Sequence, residues 1–215
     1  MMRRDFIVLA TLAIVGMAYA GTQPGKNGSA KGSLILVVGD SLSAEYGLAR
    51  GTGWVTLLEQ RLAQEKIPAT VVNASVSGDT TAGGRARLAA LLKLHQPTHV
   101  VLELGSNDAL RGLPLANTQD NLDWMTEQAQ AAGARVLLVG MQMPPNYGAD
   151  YGRRFASLFE AVAKERKAAL VPFLLKGVAD APNPTALFQP DRIHPRSEAQ
   201  PRMLDNVWPE LRKLL

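Results

Sequence analysis

The sequence predicts a single α/β domain in which a five-stranded parallel sheet is flanked by helices on both faces. Short apolar runs rich in β-branched residues alternate along the chain with longer segments of helical periodicity. Apolar strands joined by helical crossovers are typical of a parallel sheet that is covered on both sides. The chain has 215 residues, 47% hydrophobic and 20% charged, which is enough to bury one good core.

The first twenty residues have the composition of an export signal. Arg3 and Arg4 precede an apolar run from Phe6 to Met17, and Ala18-Tyr19-Ala20 matches a small-residue cleavage site. About a dozen apolar residues are too few to cross a hydrocarbon core of roughly 30 Å as a helix. We therefore expect residues 1–20 to be a signal peptide, and the mature chain to be periplasmic or secreted without a stable membrane anchor. The two arginines fit a general secretory signal and a twin-arginine signal equally well, so the export route stays open.

The remaining chain divides into a leader and a series of alternating elements. Residues 21–32 are rich in Gly, Lys, Ser and Thr, so we expect a flexible leader there and the folded domain over residues 33–215. Five apolar runs too short for helices are the predicted strands: Leu34–Val38, Thr70–Asn73, His99–Leu104, Val136–Met141 and Ala169–Phe173. Five segments have helical spacing: Trp54–Glu65, Ala82–Leu94, Thr118–Ala132, Arg153–Lys167 and Ser197–Leu215.

Composition excludes several classes of function. The chain has no cysteine, which excludes thiol chemistry and disulfide bonds. The formal charge of +4 comes from scattered basic residues, and aromatic residues make up only 6%, so we expect no nucleic-acid partner. No pair of the three histidines has metal-ligand spacing on a predicted helix, and we predict neither a metal site nor a cofactor.

A serine follows the first predicted strand directly. Leu34–Val38 runs into Gly39-Asp40-Ser41-Leu42, a turn at the edge where open α/β sheets bind their ligands. A serine exposed there suits a nucleophile. The alternative is a turn in which Asp40 and Ser41 only satisfy backbone groups, and this motif alone leaves both interpretations open.

Three further polar segments follow in order, and with the Gly39–Leu42 turn they resemble the signature blocks of the SGNH (GDSL) hydrolase family. They are Val72–Thr80 (VNASVSGDT), Leu104–Asp108 (LGSND) and Asp191–Pro195 (DRIHP), and all four blocks are expected in loops. The resemblance covers essentially Ser33 to Leu215, and it extends in particular to bacterial periplasmic thioesterases, lysophospholipases and arylesterases. It implies a flavodoxin-like fold and a serine hydrolase.

The family's nucleophile, acid and base correspond to Ser41, Asp191 and His194 in this sequence. A serine hydroxyl is a weak nucleophile that needs an adjacent base, and a histidine with an unperturbed pKa of about 6.5 suits proton transfer near neutral pH. His194 follows Asp191 by three residues, so one carboxylate can bind a nitrogen of the same imidazole. We interpret His95, at a helix end, and His99, at a strand start, as surface or packing residues. The alternative role for Asp191 is a cap on the last helix.

The resemblance also implies an oxyanion hole formed by the backbone N–H groups of Ser41 and Gly78 and the side-chain amide of Asn107. An uncharged amide stabilises developing negative charge without taking part in proton transfer. Gly78 can also be a turn glycine with positive φ, which is compatible with the first role. Asn107 can alternatively be a turn former after its strand. We interpret Asp40 and Asp108 as supports for the backbone of their turns.

Apolar side chains near these blocks are expected to bind an acyl chain. Leu110 and Leu113 follow Asn107 closely, in a region that forms a mobile loop over the acyl site in the similar subgroup. Met143 follows the fourth predicted strand and is a further candidate for the pocket wall. These three residues complete the expected site.

The expected function is hydrolysis of aryl esters, acyl thioesters or lysophospholipids through an acyl-serine intermediate. The partner is then a small-molecule or lipid acyl ester, and we expect a monomer. A carbohydrate esterase that removes acetyl groups shares the same blocks and is the first alternative, although the apolar Leu110 and Leu113 argue against it. A non-catalytic binding protein is the second alternative, but it predicts damage to at least one block, and all four are intact.

Overall fold

Five parallel strands form the centre of the structure, a computed structural model that describes residues 32–215. The strand order in the sheet is β2-β1-β3-β4-β5, and every neighbouring pair is parallel. The predicted α/β fold with a five-stranded parallel sheet is confirmed. The strands are β1 (Ser33–Gly39), β2 (Ala69–Asn73), β3 (His99–Glu103), β4 (Arg135–Val139) and β5 (Ala169–Val171).

The strand order reverses beside β1. The chain leaves β1 for β2 on one side of it and then crosses to β3 on the other side. In sheets of this kind ligands bind beyond the carboxyl ends of the strands at the point of reversal. At that end Gly39 of β1 pairs with Glu103 of β3. The carboxyl ends of β1 and β3 therefore mark the place where a site is expected.

Helices cover both faces of the sheet. Helix α1 packs against α6, and α4 packs between α2 and α5, so the sheet lies between two helical layers. The middle residues of β1 and β3, Ile35–Val38 and Val100–Leu102, are completely buried between these layers. The helices are α1 (Trp54–Gln64), α2 (Thr81–His95), α3 (Ser106–Leu110), α4 (Leu115–Ala131), α5 (Ala149–Arg166) and α6 (Gln200–Leu214).

Most strand and helix ends differ from the sequence prediction by one to four residues, and three differences need a physical reason. Strand β5 ends at Val171 instead of Phe173, because Pro172 has no N–H to donate to a neighbouring strand. The last helical segment begins as a 3₁₀ turn over Ser197–Ala199 before α6. Helix α3 is absent from the prediction, since five residues carry too little periodicity to be recognised. Asn107 consequently lies in a helix, which corrects the expectation that all four motif blocks are in loops.

The predicted signal peptide of residues 1–20, and the leader of residues 21–32 except its final glycine, lie outside the described residues. Both remain predictions. Within residues 32–215, every helix is too short or too polar to cross a membrane.

Candidate active site

The turn after β1 presents Ser41 at the carboxyl edge of the sheet. The backbone N–H of Leu42 donates to Asp40 Oδ1, and the backbone N–H of Ala44 donates to the Asp40 carbonyl oxygen, each at a distance of 3.0 Å. Gly39 has no room for a side chain, because a Cβ there would lie 2.8 Å from Glu103 Oε2 and from the Ser43 hydroxyl oxygen. Among residues 39–43, only Ser41 is partly exposed. The tight turn therefore leaves the serine as its accessible side chain.

Asp191 and His194 lie on one turn of the loop before α6. Asp191 Oδ1 accepts the backbone N–H groups of Ile193 (2.9 Å) and His194 (3.1 Å), and Asp191 Oδ2 lies 2.7 Å from His194 Nδ1. Arg192 between them has a φ of 59°, in the left-handed region, which bends the chain back. The carboxylate and the imidazole are thus oriented by contacts within four consecutive residues.

Ser41 completes a chain of hydrogen bonds with this turn. His194 Nε2 lies 2.9 Å from Ser41 Oγ, although 153 residues separate the two in sequence. A carboxylate bound to one imidazole nitrogen, with a hydroxyl at the other, is the arrangement in which histidine can accept a proton from serine. The structure therefore brings together the three residues singled out as nucleophile, acid and base.

The carboxyl group of Asp191 is held in its charged form. Partial burial acts to raise its pKa, but the hydrogen bonds from the His194 ring and from the backbone N–H groups of Ile193 and His194 outweigh it. Together they lower the pKa of Asp191 to about 2. A charged carboxylate favours the proton on Nδ1 of the imidazole and leaves Nε2 as an acceptor for the serine proton.

Asn107, in the first turn of α3, reaches back to the first two motif blocks. Its Nδ2 donates to Asp40 Oδ2 and to the backbone oxygen of Asp79, each at a distance of 3.0 Å. Gly78, the neighbour of Asp79, has a φ of 80°, which a residue with a side chain rarely adopts. Within residues 32–215, no acceptor pairs with the backbone N–H of Ser41 or of Gly78. The amide of Asn107 is therefore bound to both segments that carry these unpaired N–H groups.

An apolar cavity of about 600 Å³ opens beside Ser41 and His194. This volume lies in the usual range of small-molecule sites. Leu110 and Met143 are part of its wall, whereas Leu113 is outside the wall and is 38% exposed. Further apolar lining residues are Leu42, Met141, Pro144, Phe173, Leu175 and Phe188.

The pattern of the GDSL-like Lipase/Acylhydrolase family matches residues 37–200, a range that contains all four motif blocks. The chain belongs to this family. Esterase TesA of Pseudomonas aeruginosa is 54% identical over 181 residues, which is 84% of this chain and 89% of that protein. Thioesterase 1/protease 1/lysophospholipase L1 of Escherichia coli (strain K12) is 40% identical over 187 residues, which is 87% of each chain.

Two further similarities agree with this assignment. An arylesterase of Vibrio mimicus is 40% identical over 181 residues, 84% of this chain and 89% of that protein. A crystal structure of TesA, 54% identical, superposes with a TM-score of 0.82 and covers 85% of this chain and 100% of its own. This GDSL-like acylhydrolase is therefore an enzyme that hydrolyses ester or thioester bonds.

In this acylhydrolase the buried carboxyl group of Glu103 contacts the nucleophile turn. Glu103 Oε2 accepts the Ser43 hydroxyl at 2.7 Å and the Asp40 backbone N–H at 3.3 Å. Burial, together with the neighbouring Asp40, raises the pKa of Glu103 well above its usual range. Burial also raises the pKa of Asp40 to about 6, against the opposing effect of the hydrogen bonds from Leu42 and Asn107. Burial therefore disfavours the charged form of both carboxyl groups.

Two residues in contact with the site were not singled out from the sequence. Glu103 had a usable signal, since a carboxylate ends an otherwise apolar strand just before the LGSND block. Tyr46 packs its ring on the imidazole of His194, and no pattern in the sequence indicates that contact. Long-range contacts of this kind become visible only in the folded chain.

The other two histidines lie apart from the site. The buried ring of His99 contacts the Leu214 carbonyl oxygen and the Thr98 hydroxyl, both at 2.8 Å, and His95 ends α2. In the part of the chain from residue 32 onward, no three His, Asp or Glu side chains are arranged to hold a metal ion. Activity without a metal or cofactor stays a prediction.

Proposed function

We propose that this enzyme hydrolyses acyl esters and thioesters in two steps through an acyl group bound to Ser41. In the first step His194 Nε2 accepts the hydroxyl proton as Ser41 Oγ attacks the acyl carbon, and the leaving alcohol or thiol then takes that proton. In the second step water gives a proton to the same nitrogen and attacks the acyl carbon, and the proton returns to Ser41 Oγ as the acid leaves. The observation that carries the proposal is the 2.9 Å contact between His194 Nε2 and Ser41 Oγ.

The negative oxygen of each tetrahedral intermediate is proposed to bind three N–H donors. The unpaired backbone N–H groups of Ser41 and Gly78 support the first two. Asn107 is the proposed third donor, and both of its amide hydrogens are already donated, to Asp40 and Asp79. A substrate oxygen has to share or displace one of these bonds, and a charged oxygen competes better than a neutral carbonyl. The contribution of Asn107 is therefore expected mainly in the transition state.

Amphiphilic acyl compounds are the proposed substrates, namely aryl esters, acyl thioesters and lysophospholipids. The apolar cavity of about 600 Å³ beside Ser41 offers room for an acyl chain. The names of the similar proteins, esterase, thioesterase/lysophospholipase and arylesterase, agree with this range. Leu110 and Met143 are the proposed acyl contacts, and Leu113 is a weaker candidate because it lies outside the cavity wall.

A labelling experiment on two serine variants tests the proposal. Wild type, Ser41→Ala and Ser75→Ala are treated with a fluorophosphonate and analysed by intact mass, and hydrolysis is measured on aryl esters, acyl thioesters, lysophospholipids and acetylated sugars. Ser75 is the matched control, because its buried hydroxyl has no hydrogen-bond partner among residues 32–215. We expect one label on wild type and Ser75→Ala, none on Ser41→Ala, and a loss of turnover of at least about 10³-fold for Ser41→Ala. Turnover near the wild-type rate in Ser41→Ala would refute the mechanism, and preference for acetylated sugars would refute the substrate class.

The chain is further proposed to be exported, to lose residues 1–20, and to act as a monomer without a cofactor. The signal-like pattern of Arg3 to Ala20 supports export. The proposed catalytic groups all come from one chain, so the proposed reaction needs no residue of a second copy. Amino-terminal sequencing of the exported protein tests export and cleavage, light scattering tests the monomer, and assay after dialysis against a chelator tests independence from a metal or a dissociable cofactor. A mature protein that starts elsewhere, a dimer, or loss of activity in the chelator would each contradict the corresponding point.

A further inference from the structure

Arg87 on α2 contacts the backbone on both sides of the proposed oxyanion hole. Its Nη2 donates to the carbonyl oxygen of Gly39 at 3.5 Å, just before the nucleophile turn. Its Nη1 donates to the carbonyl oxygen of Ala74, and its Nε and Nη2 each lie 2.8 Å from Asp79 Oδ2. Ala74 and Asp79 are the two ends of residues 74–79, which we call the oxyanion loop because it contains Gly78. One guanidinium group thus joins the nucleophile turn to both ends of this loop.

Asp79 extends this contact to Asn107. Its backbone oxygen accepts Asn107 Nδ2 at 3.0 Å, while its Oδ1 accepts the Thr80 backbone N–H at 3.0 Å. The absence of a side chain at Gly83 makes room for the Asp79 carboxylate, since a Cβ at Gly83 would lie 1.9 Å from Asp79 Oδ1. The side chains of Arg87 and Asp79 are only 24% and 12% exposed, so solvent screens their ion pair weakly. Gly78 and Asn107 are therefore connected to Arg87 through Asp79, and Ser41 is connected to it through Gly39 and Asp40.

We propose that Arg87 is a positioning residue that holds the nucleophile turn and the oxyanion loop at the spacing required for hydrolysis. This inference rests on the proposed function, because it concerns the same oxyanion hole. A guanidinium group has five N–H donors in a fixed plane, which Arg87 uses toward three separate acceptors. The ammonium group of lysine keeps the charge but lacks this planar fork. Without the fork, the Val76 N–H still donates to the Gly39 carbonyl oxygen at 3.0 Å, but the ties from Arg87 to both ends of the oxyanion loop are lost. The loop can then shift relative to the nucleophile turn, which weakens oxyanion binding and leaves the apolar cavity intact.

Kinetics of Arg87→Lys and Arg87→Ala test the proposal against a matched pair, Arg85→Lys and Arg85→Ala. Arg85 is equally half-buried on the same helix, but it contacts Asn121 (3.1 Å) and the Trp124 ring (4.7 Å), away from the oxyanion loop. For both Arg87 variants we expect kcat to fall about 10²-fold, as for a small misplacement of catalytic groups, with KM changed by less than about twofold. Fluorophosphonate labelling of Ser41 should slow in parallel. The Arg85 variants should keep kcat within about threefold of wild type.

Two further measurements separate positioning from simple loss of stability. Guanidinium chloride at tens of millimolar, against an equal concentration of sodium chloride, should restore part of kcat in Arg87→Ala and none in Arg85→Ala. In a double-mutant cycle with Asn107→Ala, the Arg87→Lys loss should be clearly smaller than in wild type, because both changes act on one oxyanion hole.

Several outcomes would overturn the proposal. They are a normal kcat per labelled serine in both Arg87 variants, equal losses in the Arg85 pair, and full additivity with Asn107→Ala. If neither Arg87 variant folds while both Arg85 variants do, Arg87 is a folding residue and the proposal is likewise rejected. Turnover and Ser41 labelling of the wild-type enzyme are measured in parallel as a control for the proposed function. Their absence would reject the proposed function, whereas normal wild type with normal Arg87 variants rejects only this inference.

Discussion

The ring of Tyr46 packs against the imidazole of His194, with the two ring centroids 4.3 Å apart and the planes inclined by 38°. The backbone supports this contact from both sides. Gln189 donates its side-chain amide to the carbonyl oxygen of Tyr46 at 2.9 Å and its backbone N–H to the carbonyl oxygen of His194 at 2.8 Å. The loop with the proposed base is therefore fastened to the loop that follows the nucleophile.

Removal of the Tyr46 ring is expected to slow catalysis without unfolding the enzyme. Pairing between aromatic rings contributes about 0.5 to 1.5 kcal/mol, which corresponds to a loss of about 2- to 13-fold in kcat for Tyr46→Ala. Tyr46→Phe keeps the ring and should retain kcat. Steady-state kinetics on one ester substrate, with melting temperatures, check the prediction. If Tyr46→Phe loses as much activity as Tyr46→Ala, the hydroxyl and not the ring is responsible.

Replacement of Asn107 tests the oxyanion hole. Asn107→Ala should lower kcat by about 10²- to 10³-fold with little change in KM, since a donor aimed at developing charge acts in the transition state. Asn121→Ala is the control, because Asn121 is also partly buried and donates its amide to the Thr81 hydroxyl at 3.1 Å, outside the oxyanion loop. A lower melting temperature with a normal kcat would assign Asn107 to folding alone.

The stability of Asp40→Asn relative to wild type is expected to increase with pH. Burial raises the pKa of Asp40 to about 6, so the folded chain keeps a proton that the unfolded chain releases. This contribution to folding is present at low pH and is lost as the pH rises from about 4 through 6, by on the order of 2 to 3 kcal/mol. Asparagine has no such titration. Urea unfolding of both proteins at about pH 4.5 and pH 7.5 measures the difference.

The exposed Asp120→Asn is the control for this experiment, since Asp120 lies on the solvent side of α4. The change between the two pH values should be smaller for Asp120→Asn than for Asp40→Asn. An equal change in both variants would mean that the buried carboxyl group of Asp40 does not titrate separately in the folded enzyme.

A polar residue at Leu110 is expected to change the preference for acyl length. Each buried methylene contributes roughly 0.8 kcal/mol, so Leu110→Ser should reduce kcat/KM more for long acyl esters than for acetyl esters. Leu113→Ser should have a smaller effect, because Leu113 lies outside the cavity wall. Leu94→Ser, at the far end of α2 and 73% exposed, is the control. An unchanged chain-length profile in Leu110→Ser would exclude this side chain from the acyl site.

The sequence predicted the fold from local features, and its four motif blocks assigned Ser41, Asp191 and His194 through their resemblance to a known family. Each strand is a short apolar run, and the acid and base lie within one four-residue segment at the carboxyl edge of the sheet. Parallel strands bring such segments to the same edge, which agrees with the proximity that the family resemblance implied.

The features that the sequence did not predict depend on side chains far apart in the chain. The contact of Tyr46 with His194 and the links from Arg87 to Gly39 and Ala74 join separate loops, for which composition and spacing carry no information. Leu113 differs for a local reason. Helix α3 ends at Leu110, and the chain turns at Arg111 and Gly112 before it reaches Leu113 outside the cavity wall.

The pairing of Asp191 with His194 inside one short turn holds the acid and base together independently of the long-range contacts of their loop with Ser41 and Tyr46. Residues 188–195 close on themselves through a bridge between Phe188 and Pro195, so this loop can lift as one piece. Lifting it separates an intact acid and base from an intact nucleophile while the sheet stays folded. The enzyme should therefore lose activity on heating at a temperature below its unfolding temperature, and cooling should restore full activity.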